Sequence, residues 1–136
     1  MEPTENKGHF LGGPGFTPAA AGAAFGPGFL GEAVCRRWVL RQLHGDRAFC
    51  PGCGSALDGR QAERFWGGDR ARCADCGKKF GATTGSILAG SHFTFAKVFL
   101  LAVLLSKGTG HQDAAAVVGC DPETVRLWEK RFAIHG

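Results

Sequence analysis

Six cysteines are the residues of this 136-residue chain best suited to chemistry, and four of them fall in a pattern. Cys50-Pro51-Gly52-Cys53-Gly54 is followed by Cys73-Ala74-Asp75-Cys76-Gly77, with nineteen residues between Cys53 and Cys73. Two cysteines three apart on a tight turn aim both sulfurs at one centre. The glycine after each pair supplies backbone freedom and leaves amides free to donate to thiolates. Two such turns complete a tetrahedron with Zn–S distances of ~2.3 Å. The spacing therefore predicts one structural Zn²⁺ held by Cys50, Cys53, Cys73 and Cys76, with no open position for catalysis. Two disulfides, or four unrelated buried thiols, are the alternatives. A chain whose N-terminus has no basic-then-apolar leader pattern favours metal or free thiols. Zinc binding, worth roughly 10–16 kcal/mol, would offset the entropy of ordering so small a unit. Cys35 and Cys120 stand outside the pattern in apolar helical slots and read as small buried hydrophobes. His9, His44, His92, His111 and His135 lack ligand spacing and read as surface or incidental residues.

A second constellation lies near the C-terminus. His111 to Val118 reads as a helix, Gly119-Cys120-Asp121 as a turn, and Pro122 to about Ile134 as a second helix. Asp121 suits the cap, Pro122 the first helical position and Glu123 the positive end of the dipole. Ala115 precedes the turn glycine by four residues, and Val125 and Trp128 follow it by six and nine. That spacing is the pattern of a helix-turn-helix, with Ala114, Val118 and Cys120 in the remaining inward slots. At 100° per residue, Val125, Trp128 and Phe132 face inward. Glu123, Thr124, Arg126, Leu127, Lys130 and Arg131 then face outward, as base-reading residues of a recognition helix would. An ordinary solvated helix face would look similar. Its charges nearly balance, so phosphate affinity has to come from elsewhere: Arg64, Arg70, Arg72, Lys78 and Lys79 around the second cysteine pair.

The elements that must position these residues follow from composition and periodicity. Residues 1–31 are dense in glycine, proline and alanine and contain Gly-Pro-Gly-Phe twice, at Gly13–Phe16 and Gly26–Phe29. This composition predicts a disordered tail whose Phe10, Phe25 and repeat phenylalanines could dock into a protein partner. Residues 32–81 open with a helix, Glu32 to Leu43, placing Val34, Cys35, Trp38, Val39 and Leu43 on one side, with Gly45 as stop. Glu63-Arg64-Phe65-Trp66 and Arg70-Ala71-Arg72 read as two short strands joined at Gly67-Gly68-Asp69, and Lys79-Phe80 begins a third. With the two cysteine turns, that is a zinc ribbon. Residues 82–136 form a helical unit. It begins with a helix capped by Thr94 and stopped by Gly108, apolar on nearly all sides from Val98 to Leu105. Such a helix is the centre of a small core or an oligomer interface. The expected fold class is small α+β: a zinc ribbon of short antiparallel strands, then an all-α helix-turn-helix unit, behind a disordered tail.

This order of parts resembles the N-terminal region of a group of bacterial insertion-sequence transposases that begin with a zinc ribbon. Cys50-Pro51, Cys53-Gly54, Cys73, Cys76, Phe80, Thr84-Gly85-Ser86-Ile87, Ser91, the helix from Phe95, and Ala115, Gly119, Thr124-Val125 and Trp128 carry the resemblance. It covers roughly residues 32–134 and implies recognition of double-stranded DNA. Those transposases continue into an RNase H-like domain whose acids hold catalytic metal ions. After residue 81 this chain has only Asp113, Asp121, Glu123 and Glu129, all within the helix-turn-helix pattern. The resemblance is therefore taken to imply DNA recognition and not catalysis.

Charge and hydropathy fit that expectation. The formal net charge is +4, carried by residues 32–80, and a four-thiolate zinc centre would bring it to about +2. No apolar run approaches the ~18 residues a membrane span needs, so a soluble, cytoplasmic protein of the bacterial nucleoid is expected. The leading expectation is a non-catalytic, sequence-specific DNA-binding protein, a transcription regulator that dimerises to read two half-sites. A protein–protein adaptor using the ribbon and the tail is the alternative, as is a truncated transposase that acts as an inhibitor.

Overall fold

The computed structural model describes residues 16–86 and 88–135. They form six α-helices and one two-stranded antiparallel sheet. Along the chain these are α1 (Pro18–Ala24), a 3-10 turn (Pro27–Phe29), α2 (Glu32–His44), α3 (Gly59–Trp66), β1 (Ala71–Arg72), β2 (Lys79–Phe80), α4 (Phe95–Ser106), α5 (His111–Val118) and α6 (Pro122–His135). Ala71 pairs with Phe80 and Arg72 with Lys79. No helix among the described residues is long and apolar enough to cross a membrane.

Two of these elements correct the sequence reading. The Gly/Pro block is not without helix. Thr17 accepts from the Ala20 amide at 3.1 Å, Pro18 takes the first turn, and the alanine-rich stretch that follows carries α1. Alanine has the highest helix propensity of any residue, and the cap sets the start. None of its side chains is buried, so α1 is a local structure. The second Gly-Pro-Gly-Phe forms the 3-10 turn, which packs on α4, and Leu30 behind it joins the core. Phe10 and most of the first repeat lie outside the described residues. Glu63 to Trp66, expected as a strand, is the end of α3. Asp58 caps that helix by accepting from the Gln61 amide at 2.9 Å, and Phe65 is its buried residue.

The buried side chains form two cores. The larger joins α2, α4, α5 and α6 through Val39, Val98, Leu101, Ala114, Val118, Val125 and Trp128, among others. The smaller surrounds the cysteines: Leu40, Cys50, Phe65, Ala71, Cys73, Phe80 and Ala82. Adjacent residues of α2, Val39 and Leu40, therefore enter different cores, and Leu43 packs against both. This explains a third departure. Val34 and Trp38, expected inward, remain 59% and 52% exposed, because α2 buries Cys35, Val39 and Leu40 instead. Trp38 meets the Phe99 ring edge-on at 5.3 Å.

Helix α2 is also tied at both ends. The Glu32 carboxylate accepts from the Phe95 and Ala96 amides at 2.9 and 2.8 Å, capping α4 from another helix, while Thr94 takes the Lys97 amide. At the other end His44, read as incidental in the sequence, bonds the Ala82 carbonyl at 2.5 Å and packs on Phe65 and Trp66. The apolar character of α4 is accounted for inside the chain. It lies against α2, α5 and the 3-10 turn, burying Ala96, Val98, Leu100 and Leu101.

Candidate metal centre and charged surfaces

The two cysteine turns are built alike. In the first, the Cys50 amide donates to Ser55 and the Gly54 amide to the Cys50 carbonyl, each at 2.9 Å. In the second, Cys73 donates to Lys78 and Gly77 to Cys73, again at 2.9 Å. Gly54 and Gly77 take φ of +79° and +77°, a left-handed conformation that side chains resist. That turn brings the second cysteine of each pair back beside the first. The first of each pair, Cys50 and Cys73, is buried, and the second, Cys53 and Cys76, is exposed.

All four sulfurs lie within 4.8 Å of one another. The closest pairs run between turns, Cys50 to Cys76 and Cys53 to Cys73, each at 3.6 Å. A tetrahedron with metal–sulfur bonds of ~2.3 Å has edges of ~3.8 Å, so the four donors match one tetrahedral ion. No two of the four sulfurs are bonded to one another, so the cluster is arranged as separate thiols. Backbone amides aim at the sulfurs, among them Gly52 to Cys50 at 3.2 Å. Cys53 is brought down to about 6 by the Ser55 hydroxyl, then by the Ser55 amide and Cys73. The Lys78 amide favours the Cys76 thiolate in the same way. Cys50, burial, Cys53 and Cys73 outweigh it and push Cys76 up to about 11. One thiol ionises readily and another resists as negative charge accumulates; a bound cation would let all four ionise together.

Two cations lie beside this cluster. The Lys78 stem lies so close to Gly52 that a Cβ there would sit 2.9 Å from it, and the Arg72 guanidinium approaches Gly77. Both oppose the net −2 charge that four thiolates and one divalent ion would carry. Arg72 also belongs to a second group of cations, in a groove beside the cluster. Arg64, Arg70, Arg72 and Lys79 line a surface groove of about 350 Å³ together with Gln61 and Ala71. Lys78 is not part of it.

The α5–α6 pair supplies the other surface. Gly119 closes α5 at φ 90° and ψ 46°, and three residues later α6 begins. Val125 and Trp128 are buried, and Phe132 packs against the same core. Glu123, Arg126, Leu127, Lys130 and Arg131 are exposed and Thr124 is half-buried, so the outward set lies where the helical period puts it. Its cations are partly engaged within the chain. Arg126 pairs with Glu123 at 2.5 Å, and the Arg131 guanidinium lies 4.8 Å over the Trp128 ring. Glu129 holds His111 at 2.8 Å, so His111 is not incidental.

The remaining motif residues serve the backbone. Thr84 accepts from the Gly81 amide, Ser86 bridges the Thr83 carbonyl and the Leu88 amide, and Ser91 accepts from Phe93. Burial raises the Cys35 thiol, aided by Glu32, and burial likewise raises Cys120. Neither is poised as a nucleophile. Sequence reasoning missed Glu32, His44 and Gln61; the last accepts from the Arg72 amide at 2.8 Å and fastens α3 to β1. No family model matches the chain, and no curated protein or solved structure matches it either.

Proposed function

We propose that the chain is a non-catalytic, zinc-holding protein that binds double-stranded DNA, with α5 and α6 acting as a helix-turn-helix and the cysteine unit as a zinc ribbon. Four thiolates in a closed tetrahedral set suit Zn²⁺ as a structural ion. One observation carries the DNA-binding half. Helix α6 is anchored by Val125 and Trp128 behind a left-handed turn at Gly119, and it presents Arg126, Leu127 and Lys130 on its free face. A helix held that way can enter a major groove, where Arg126 would exchange its exposed Glu123 partner for guanine and Leu127 would meet a thymine methyl. The resemblance to transposase N-terminal regions, read from the sequence, points the same way. A regulator acting alone and a competitor of a longer transposase would both use this surface.

The test is selection of a duplex from a random pool by the zinc-loaded chain, followed by binding of the selected site. Arg126→Ala is expected to cost about ten- to a hundredfold on that site. It should leave binding to unrelated duplex nearly unchanged. An unenriched pool, or an Arg126→Ala variant with unaltered preference, would remove the groove-reading role of α6. The adaptor reading draws on a different observation: Phe16 and Phe29 are 87% and 70% exposed. It predicts a chain indifferent to changes in α6.

A further inference from the structure

We infer that the groove between α3 and the β1–β2 hairpin is a phosphate site that grips the sugar–phosphate backbone of nucleic acid through Arg64, Arg70, Arg72 and Lys79. This rests on the DNA-binding reading and gathers the phosphate affinity expected around the second cysteine pair into one groove that leaves out Lys78. The strand register is the first ground. Arg72 sits directly across from Lys79, and Arg70 comes just before β1, while Ala71 and Phe80 turn inward. Like charges placed opposite one another destabilise a sheet, here one of only two residues per strand. Yet no carboxylate among the described residues pairs with any of the four. The ion pairs found there are Arg41–Asp46, His111–Glu129 and Arg126–Glu123. An external anion resolves that repulsion.

Preorganisation is the second ground. Arg64 donates its Nε to the Arg70 carbonyl at 2.8 Å, which fixes the guanidinium and leaves its two-nitrogen end for a ligand. Arg70 reaches the Lys79 carbonyl in a long contact of 3.5 Å, and Gln61 locks the Arg72 backbone. Side chains already held lose less entropy on binding, and a guanidinium edge matches two phosphate oxygens. The lining also identifies the ligand. No aromatic ring borders the groove and Ala71 is its only apolar member, so nothing there stacks a base. Phosphate oxygens are what it fits, and all four cations are open to a polymer crossing the surface. A soluble polyphosphate shares that chemistry, and the experiment separates the two.

The full zinc-loaded chain is titrated against a labelled random-sequence duplex across a salt series, as wild type, as R70Q/K79Q and as R37A/K107A. The last variant removes two charges that do not line the groove. Zinc content and circular dichroism check that each variant folds. R70Q/K79Q should bind about 10–100-fold more weakly at low salt, with the slope of log affinity against log salt reduced by about 2. R37A/K107A should keep nearly the wild-type slope. Equal slopes in wild type and R70Q/K79Q overturn the groove while DNA binding by α6 stands. If wild type binds no duplex at low salt, the DNA-binding reading falls. The phosphate site then survives only if tripolyphosphate shifts the Arg64 and Arg72 Nε–H resonances of wild type and not those of R70Q/K79Q. If it does not, the inference falls too.

Discussion

Four helices meet in the larger core, where Leu101, Val118 and Val125 are wholly enclosed and Trp128 is buried beside them. The smaller core has seven buried members, two of which are the ligand cysteines Cys50 and Cys73, and two more are alanines. Its secondary structure is slight: one eight-residue helix, two strands of two residues, and an isolated bridge between Phe49 and Ala56. A helical hairpin resting on a third and fourth helix can hold its shape by burying apolar surface. A unit that offers so little surface gains most from an ion, which its four clustered cysteines could hold. The difference teaches how the chain would divide its work under the proposed reading: burial fixes the α6 surface, and ligation of one ion by the four cysteines would fix the arginine groove.

The sharpest way to break that contrast is to remove the metal. Zinc ligation is worth roughly 10–16 kcal/mol in small units of this kind, more than the smaller core can replace. Chelation, or Cys73→Ser, should collapse the amide spectrum of residues 48–82 and leave that of α5 and α6 dispersed. Proteolysis should then cut within the cysteine unit first. Concerted loss of both sets of resonances would show one cooperative body and end the comparison.

The converse experiment attacks the helical core. Trp128 is 5% exposed, stacks with Phe93 at 5.7 Å and lies at the same distance from Phe132. Trp128→Ala should cost about 3–5 kcal/mol of stability through lost burial and a cavity. Thermal unfolding followed by helical circular dichroism measures that loss. The four thiols of the cysteine unit should still bind one zinc equivalent in a chelator-competition assay. A variant that loses zinc and helix in parallel would contradict the division.

What the sequence made legible follows the same line. The cysteine quartet could be read because a metal turn is local: five residues dictate where two sulfurs go. The α5–α6 pair could be read because Gly119, Val125 and Trp128 report a left-handed turn and one helix face within ten residues. Helix α3 was misread although its signal was present, Asp58 standing before Gly59-Arg60-Gln61. The aromatic pair Phe65-Trp66 and the arginines beyond it suggested a ribbon strand instead. Helix α2 was read with one buried face, because a helical period cannot show that Val39 and Leu40 serve two cores. The groove was legible as a set of cations but not as a place, since Arg64 comes from α3 and the others from the hairpin. Nothing local announces that Glu32 caps a helix 63 residues away.

That distant cap offers the subtlest test, because α2 is the joint between the halves. The two oxygens of Glu32 accept the Phe95 and Ala96 amides, which α4 cannot satisfy within its own first turn. Glu32→Gln leaves one acceptor and turns an NH₂ toward the other amide, and it removes a negative charge from the positive end of α4. The expected cost is about 1–2 kcal/mol, the range of a lost cap or a charge-assisted hydrogen bond. Glu32→Asp, which keeps the charge but is one methylene shorter, should fall between. Amide exchange reads where the loss lands. If burial and ligation hold the halves separately, exchange rises in α4 and α5 while residues 48–82 keep their protection. Equal acceleration on both sides of α2 would mean that this helix transmits strain from one core to the other, because Val39 and Leu40 move as one rigid body.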